Sequence, residues 1–149
     1  MKIKNNNKTR KKLSSNKNVL LFNFQKEITI VFMEILIMIK LFHWKTHRYS
    51  THKATDELYD KLNEHIDRFI EVLLGKTNSR IDLINNKTIK LIDLNSQESL
   101  KLKIKELKEY LVGLNNNKAL KLMSNTDLYN IRDEILGDLN QFLYLLTFK

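Results

Sequence analysis

Residues 24–47 read FQKEITIVFMEILIMIKLFHWKTH, and this stretch decides the fold. Ile28, Ile30, Val31, Phe32, Met33, Ile35, Leu36, Ile37, Met38, Ile39, Leu41, Phe42 and Trp44 make a helix that is apolar almost all round. Such a helix must be covered on every side. One face enters a bundle core, where Trp44 is also expected. The other face then needs a second subunit, so oligomerisation is implied. Glu34 and Lys40 cut the run, which also falls short of the roughly 20 residues of a bilayer span. A membrane span is therefore rejected.

The rest of the chain fits a helical reading. Its 149 residues suit one domain, and they include no Pro, no Cys and three Gly, too few turn residues for a sandwich or barrel. Without cysteine there is no disulfide framework, zinc ribbon or thiol nucleophile, and an intracellular, cytoplasmic setting is expected. A second helix follows the break at Arg48-Tyr49-Ser50, with Ser50 or Thr51 as N-cap. It runs to Leu74, and Gly75 supplies a left-handed cap. Its buried stripe is Leu58, Leu62, Ile66, Phe69, Leu73 and Leu74. Residues 76–94 read as a connector. A third helix starts near Asn95, with Glu98 in a capping position, and buries Leu100, Ile104, Leu107, Leu111 and Leu114. A fourth starts near Ser124, with Asp127 in its first turn, and buries Leu128, Ile131, Ile135, Leu139, Phe142 and Leu146. The long link between the second and third helices predicts an all-α four-helix bundle with a crossover, spanning residues 19–149.

Upstream of the bundle lies most of the charge. The net charge is +9, and residues 1–18 hold Lys2, Lys4, Lys8, Arg10, Lys11, Lys12 and Lys17 with no acidic side chain. The body is then close to neutral. A Lys-, Asn- and Ser-rich run has too little apolar surface to offset its ordering entropy, and reads as a disordered basic arm. Either it stays solvated, or it attracts phosphate backbones such as DNA without reading sequence. Val19-Leu20-Leu21-Phe22 behind it has the outline of a signal peptide, but no small-residue cleavage site follows.

Candidate chemistry sits at the first turn and along the second helix: His43, His47, His52, Asp56, Asp67 and Glu71. His52/Asp56 and Asp67/Glu71 are each spaced i, i+4 and share a helical face. Asp56 and Asp67 are eleven residues apart, almost three whole turns, so both pairs fall on nearly one stripe with Asp60 and Asn63. His65 lies at the opposite edge of the apolar face. At roughly 1.5 Å per residue the two pairs stand about 16 Å apart, whereas ligand bonds to a first-row metal are about 2 Å. One chain cannot close a site with all four groups. Two copies packed antiparallel about a twofold axis bring His52 and Asp56 of one against Asp67 and Glu71 of the other. Imidazole with carboxylates and open positions suits iron, with manganese or zinc a weaker match. Taken singly, each such pair reads first as a solvated helix face and only second as a ligand pair.

The combination His43-Trp44, then His52-x3-Asp56-x10-Asp67-x3-Glu71, resembles the ferroxidase signature of the Dps family (DNA-binding protein from starved cells) in the ferritin-like superfamily. The stretch Arg132-Asp133-Glu134-Ile135-Leu136-Gly137-Asp138-Leu139-Asn140-Gln141-Phe142-Leu143-Tyr144 is similar to that family's last helix. The resemblance implies a ferritin-like four-helix bundle. It places His43, His52 and Asp56 in one subunit and Asp67 and Glu71 in its twofold mate, around a di-iron or mono-iron site. It further implies a homo-oligomer, with a dimer as the minimum and the hollow, shell-like dodecamer usual in that family as the larger form. Ferrous iron would be oxidised at the interface, often by hydrogen peroxide, and stored as mineral, with DNA held by a lysine-rich arm. Two departures stand out. The spacing from His43 to His52 is three residues short of the family's usual loop, which leaves His47 as an alternative first-helix ligand. The Gly-Pro that often follows the Trp is absent. The alternative function is a redox-inactive helical bundle with a structural or DNA-compacting role.

Overall fold

The computed structural model describes residues 4–148, with side chains from Leu13 onward. Over that span the chain is all-α: α1 (Lys4–Lys45), α2 (Tyr49–Thr77), α3 (Gln97–Gly113) and α4 (Thr126–Leu145). Two 3₁₀ turns, Leu114–Asn116 and Leu120–Leu122, join α3 to α4, and no strand occurs among the described residues.

The buried stripes follow the expected periodicity. Leu58, Leu62, Ile66, Phe69 and Leu73 of α2 meet Leu100, Ile104, Leu107 and Leu111 of α3 and Leu128, Ile131, Ile135, Leu139 and Phe142 of α4 in one core with α1. Phe32 and Phe69 cross edge to face with centroids 5.5 Å apart.

Helix ends in α2, α3 and α4 differ from the sequence reading by one to three residues. Gly75 lies inside α2, which runs on to Thr77; the left-handed residue is Asn78 (φ 48°, ψ 48°). Asn78 and Ser79 donate their N–H groups to Gly75 O and Leu74 O, closing the helix end. Arg48, not Ser50 or Thr51, stands at the start of α2, with extended backbone and no side-chain cap. At α3 the cap is Ser96 rather than Asn95. Ser99 N–H donates to Ser96 Oγ (3.1 Å) and Ser96 N–H returns to Ser99 Oγ (3.2 Å), the role assigned above to Glu98. Asn125, one residue beyond Ser124, precedes α4.

α1 differs most. It starts at Lys4, not Phe24, so residues read as a disordered arm continue the helix. No Gly or Pro lies between Lys4 and Phe24, so nothing interrupts propagation from the packed segment Phe24–Lys45. Residues 13–20 are exposed throughout; poor packing was legible, and the backbone state was not.

Contacts between side chains set the topology. α2 and α4 are antiparallel and joined by a polar seam: Lys61 to Gln141 (2.8 Å), His65 to Asp138 (2.9 Å), Arg68 to Glu134, and Lys76 to Asp127 (2.7 Å). His65 thus belongs to this seam, on the edge of α2 away from Asp56. Tyr129 and Arg132 at the start of α4 reach Leu114 O and Leu111 O at the end of α3, while Gln97 at the start of α3 donates to Leu146 O. Tyr110 near the end of α3 donates to Glu27 of α1, and burial with the Glu27 charge pushes its phenol well above the ordinary range.

Residues 78–96 cross the bundle from end to end. Near their start, Gln25 of α1 donates to Thr77 and Ser79 (2.7 and 2.8 Å). Midway, Glu34 accepts from Lys90 N–H, and at the far end Lys45 holds Asp93 and Asn95. From Gln25 to Lys45 is about 30 Å of helix. α3 therefore starts beside the start of α2 and runs parallel to it. The result is a four-helix bundle with one long crossover between the second and third helices. No helix among the described residues is long and apolar enough to cross a membrane.

Candidate metal centre

The short turn 46–48 reverses the chain and sets the last turn of α1 against the first turns of α2. There the rings of His43 and His52 stack with centroids 3.9 Å apart and planes 22° from parallel. Each is pinned by the other residue's backbone: His43 Nδ1 lies 3.0 Å from His52 O, and His52 Nδ1 lies 3.0 Å from His43 O. A carbonyl oxygen only accepts, so both Nδ1 atoms carry hydrogen. In the neutral rings Nε2 is then the lone-pair nitrogen on both. Metal-binding imidazoles are characteristically oriented by such a bond from the other ring nitrogen. The donor chemistry therefore fits a first-row metal.

Asp56, one turn beyond His52, brings Oδ1 to 3.7 Å from His43 Nε2. The same oxygen is 3.7 Å from Lys40 Nζ, and that ammonium lies 4.5 Å from the centre of the Tyr59 ring. Buried Thr55 completes the clamp. Its hydroxyl is 3.3 Å from His43 Nδ1 and donates to the carbonyls of Thr51 and His52. Lys40 and Thr55 were not singled out in the sequence. A Thr in a stripe otherwise filled by Leu, Ile and Phe was the available sign for Thr55; Lys40 gave none, because its partner is sixteen residues away.

His43, His52 and Asp56 thus come together, and the other candidates do not join them. His47 is exposed on the turn and faces the start of α3, beside Arg48, Ser96 and Gln97. Asp67 and Glu71 are exposed three turns along α2. Asp67 borders a groove between α1 and α2 with Met33, Leu36, Asn63 and Ile70. Among the described residues, no group of three or more His, Asp or Glu side chains is arranged to hold a metal ion within this chain.

The outward side of α1 carries further apolar residues. Val19, Phe22 and Met33 are about half exposed, and Ile30 and Ile37 are half-buried. Trp44 is 70% exposed, which corrects its placement in the core. The last turn of α1 faces the α2 start through His43, which is buried while neighbouring Trp44 is exposed. Of the basic arm, Lys17 is exposed on α1. Lys2 and the side chains of Lys4, Lys8, Arg10, Lys11 and Lys12 lie outside the described residues.

A model of a family of unknown function, DUF5856, matches residues 43–146. That span begins at His43 and contains the whole histidine–carboxylate stripe. No curated protein and no solved structure matches.

Proposed function

We propose that this chain, which belongs to the DUF5856 family, is a Dps-like, ferritin-like protein that oxidises ferrous iron at a site completed between two copies and stores the product. The observation that carries the reading is the reciprocal pinning of His43 and His52 through Nδ1, with Asp56 Oδ1 3.7 Å from His43 Nε2. His43, His52 and Asp56 would supply only part of a site, since no three such side chains among the described residues are arranged to hold an ion within one chain. Asp67 and Glu71, about 16 Å away on the same helix, are a second half that the first cannot reach.

The bundle with its single crossover supports the ferritin-like part of the reading. The apolar outward side of α1, continuous with the groove beside Asp67, supports pairing of two copies through α1 and α2. In such a pair the histidines bind and orient iron, the carboxylates neutralise it, and open positions admit the oxidant. The balanced step would be one electron from each of two ferrous ions to one hydrogen peroxide, whose O–O bond breaks to leave two ferric ions and two hydroxides. The basic arm would hold DNA non-specifically, with affinity falling steeply as salt rises.

One observation favours the redox-inactive alternative: Asp56 already has a cationic partner in Lys40. Anaerobic ferrous loading followed by peroxide separates the two readings. The parent chain is expected to form ferric iron rapidly, and an Asp67→Ala/Glu71→Ala variant to lose that activity while keeping its helical content. Equal rates in the two proteins would remove the proposed site.

A further inference from the structure

We infer that Lys40 is a built-in counter-cation of the half-site, so that its ammonium and an incoming divalent metal are alternative occupants of Asp56. This rests on the metal-site reading given above and adds to it a control on how tightly the ion is held.

The geometry is specific. Asp56 Oδ1 is shared: Lys40 Nζ and His43 Nε2 each stand 3.7 Å from it. Lys40 lies one turn before His43 on α1, so ammonium and imidazole approach the same carboxylate from one helix. The ammonium is also held 4.5 Å over the Tyr59 ring, one turn beyond Asp56 on α2. That ring attracts it whether or not the carboxylate is taken. A metal bonded to Asp56 Oδ1 at about 2 Å competes with the ammonium for the same negative charge, and repulsion between the two cations disfavours holding both. The displaced ammonium stays tethered to Tyr59, and returns when the metal leaves.

An internal competitor of this kind weakens resident binding and favours exchange. That behaviour suits a site whose ion is handed on to a store, and is unsuited to a permanent structural metal. Exposed Lys53, next to His52 but with no part in the Asp56 contact, carries the same charge and serves as control.

Calorimetric titration of the full chain with Zn²⁺ tests the inference without redox chemistry. Lys40→Met is expected to bind Zn²⁺ on the order of fivefold more tightly than the parent, the upper range for a partly exposed ion pair. Lys40→Arg and Lys53→Met should match the parent, and the gain in Lys40→Met should shrink as salt is raised. Binding by parent and Lys40→Met with equal affinity would overturn the role of Lys40 and leave the metal site standing. Equal tightening in Lys53→Met would also overturn it, as a general charge effect. No binding by either the parent or Lys40→Met would overturn the metal site itself, and the inference with it.

Discussion

If the iron site is divided between protomers, two differently broken chains should repair each other. In one variant, His52→Asn/Asp56→Asn removes two ligands of the first half. An Asn amide sits where the imidazole Nδ1–H was, so it keeps the bond to His43 O that pins the turn. In the other, Asp67→Asn/Glu71→Gln removes the second half without changing shape. Both positions are exposed, so neither change disturbs the core. Each variant alone has no complete site in any pairing. Within a mixed pair, one site combines both defects, and the other combines the intact histidine half of one chain with the intact acidic half of its mate. Random pairing of equal amounts makes about half the dimers mixed, each with one good site of two. The mixture should therefore recover about a quarter of the parental ferroxidation rate. The assay is ferric absorbance after anaerobic loading and peroxide, on the two chains co-refolded and separately refolded. A site closed within one chain predicts no recovery, because every chain is then defective. A co-refolded mixture no faster than the separate variants refutes the shared site.

Three further predictions concern the scaffold. Gly137 is exposed in the middle of α4, and an added Cβ meets nothing within 4 Å, so Gly137→Ala should stabilise the protein by about 1 kcal/mol. Thermal melting should rise by about 3 °C, and a fall would mean that α4 is crowded there. Arg132 is buried, donates to Leu111 O and Asn115 Oδ1, and covers the Tyr129 ring at 4.6 Å. Arg132→Met should cost about 2 kcal/mol in urea unfolding by stripping those acceptors, and an unchanged midpoint would refute that account. Lys76 holds the Asp127 carboxyl below its ordinary 3.8 through a direct hydrogen bond. A depressed carboxyl stabilises the fold above its unfolded value and loses that contribution as pH falls through the folded one. The contact is exposed, so Lys76→Met should cost only a few tenths of a kcal/mol near neutrality and nothing in strong acid; a cost that persists in acid would exclude the ion pair.

Much of the bundle was legible because it depends on periodicity alone. The stripes of α2, α3 and α4 bury the residues their spacing selects, except Leu74 at the end of α2, which is only half-buried. Caps were less legible, since α2 ends where Gln25 of α1 grips Thr77 and Ser79, fifty residues away in sequence. The helix runs past Gly75 to that contact, and Asn78 takes the left-handed turn beside it. Trp44 misled for a related reason. Hydrophobicity states what a side chain prefers, and the helix angle places this one on the outward face of α1.

The candidate site divides along the same line. That His52, Asp56, Asp67 and Glu71 share a stripe follows from 3.6 residues per turn and nothing else. Choosing between His43 and His47 required the turn at 46–48, which aims one ring at α2 and the other at α3. Which nitrogen is free required the carbonyls that face each ring, and these come from the opposite side of the turn. Spacing can nominate ligands, but only tertiary contacts orient them. In this chain they pin both histidine rings and leave Asp67 and Glu71 three turns away on the same helix. No rearrangement of side chains shortens that distance. The ion proposed to sit between the halves therefore needs the acidic pair of a second chain, and the unfilled apolar side of α1 is where that chain has most to gain by docking.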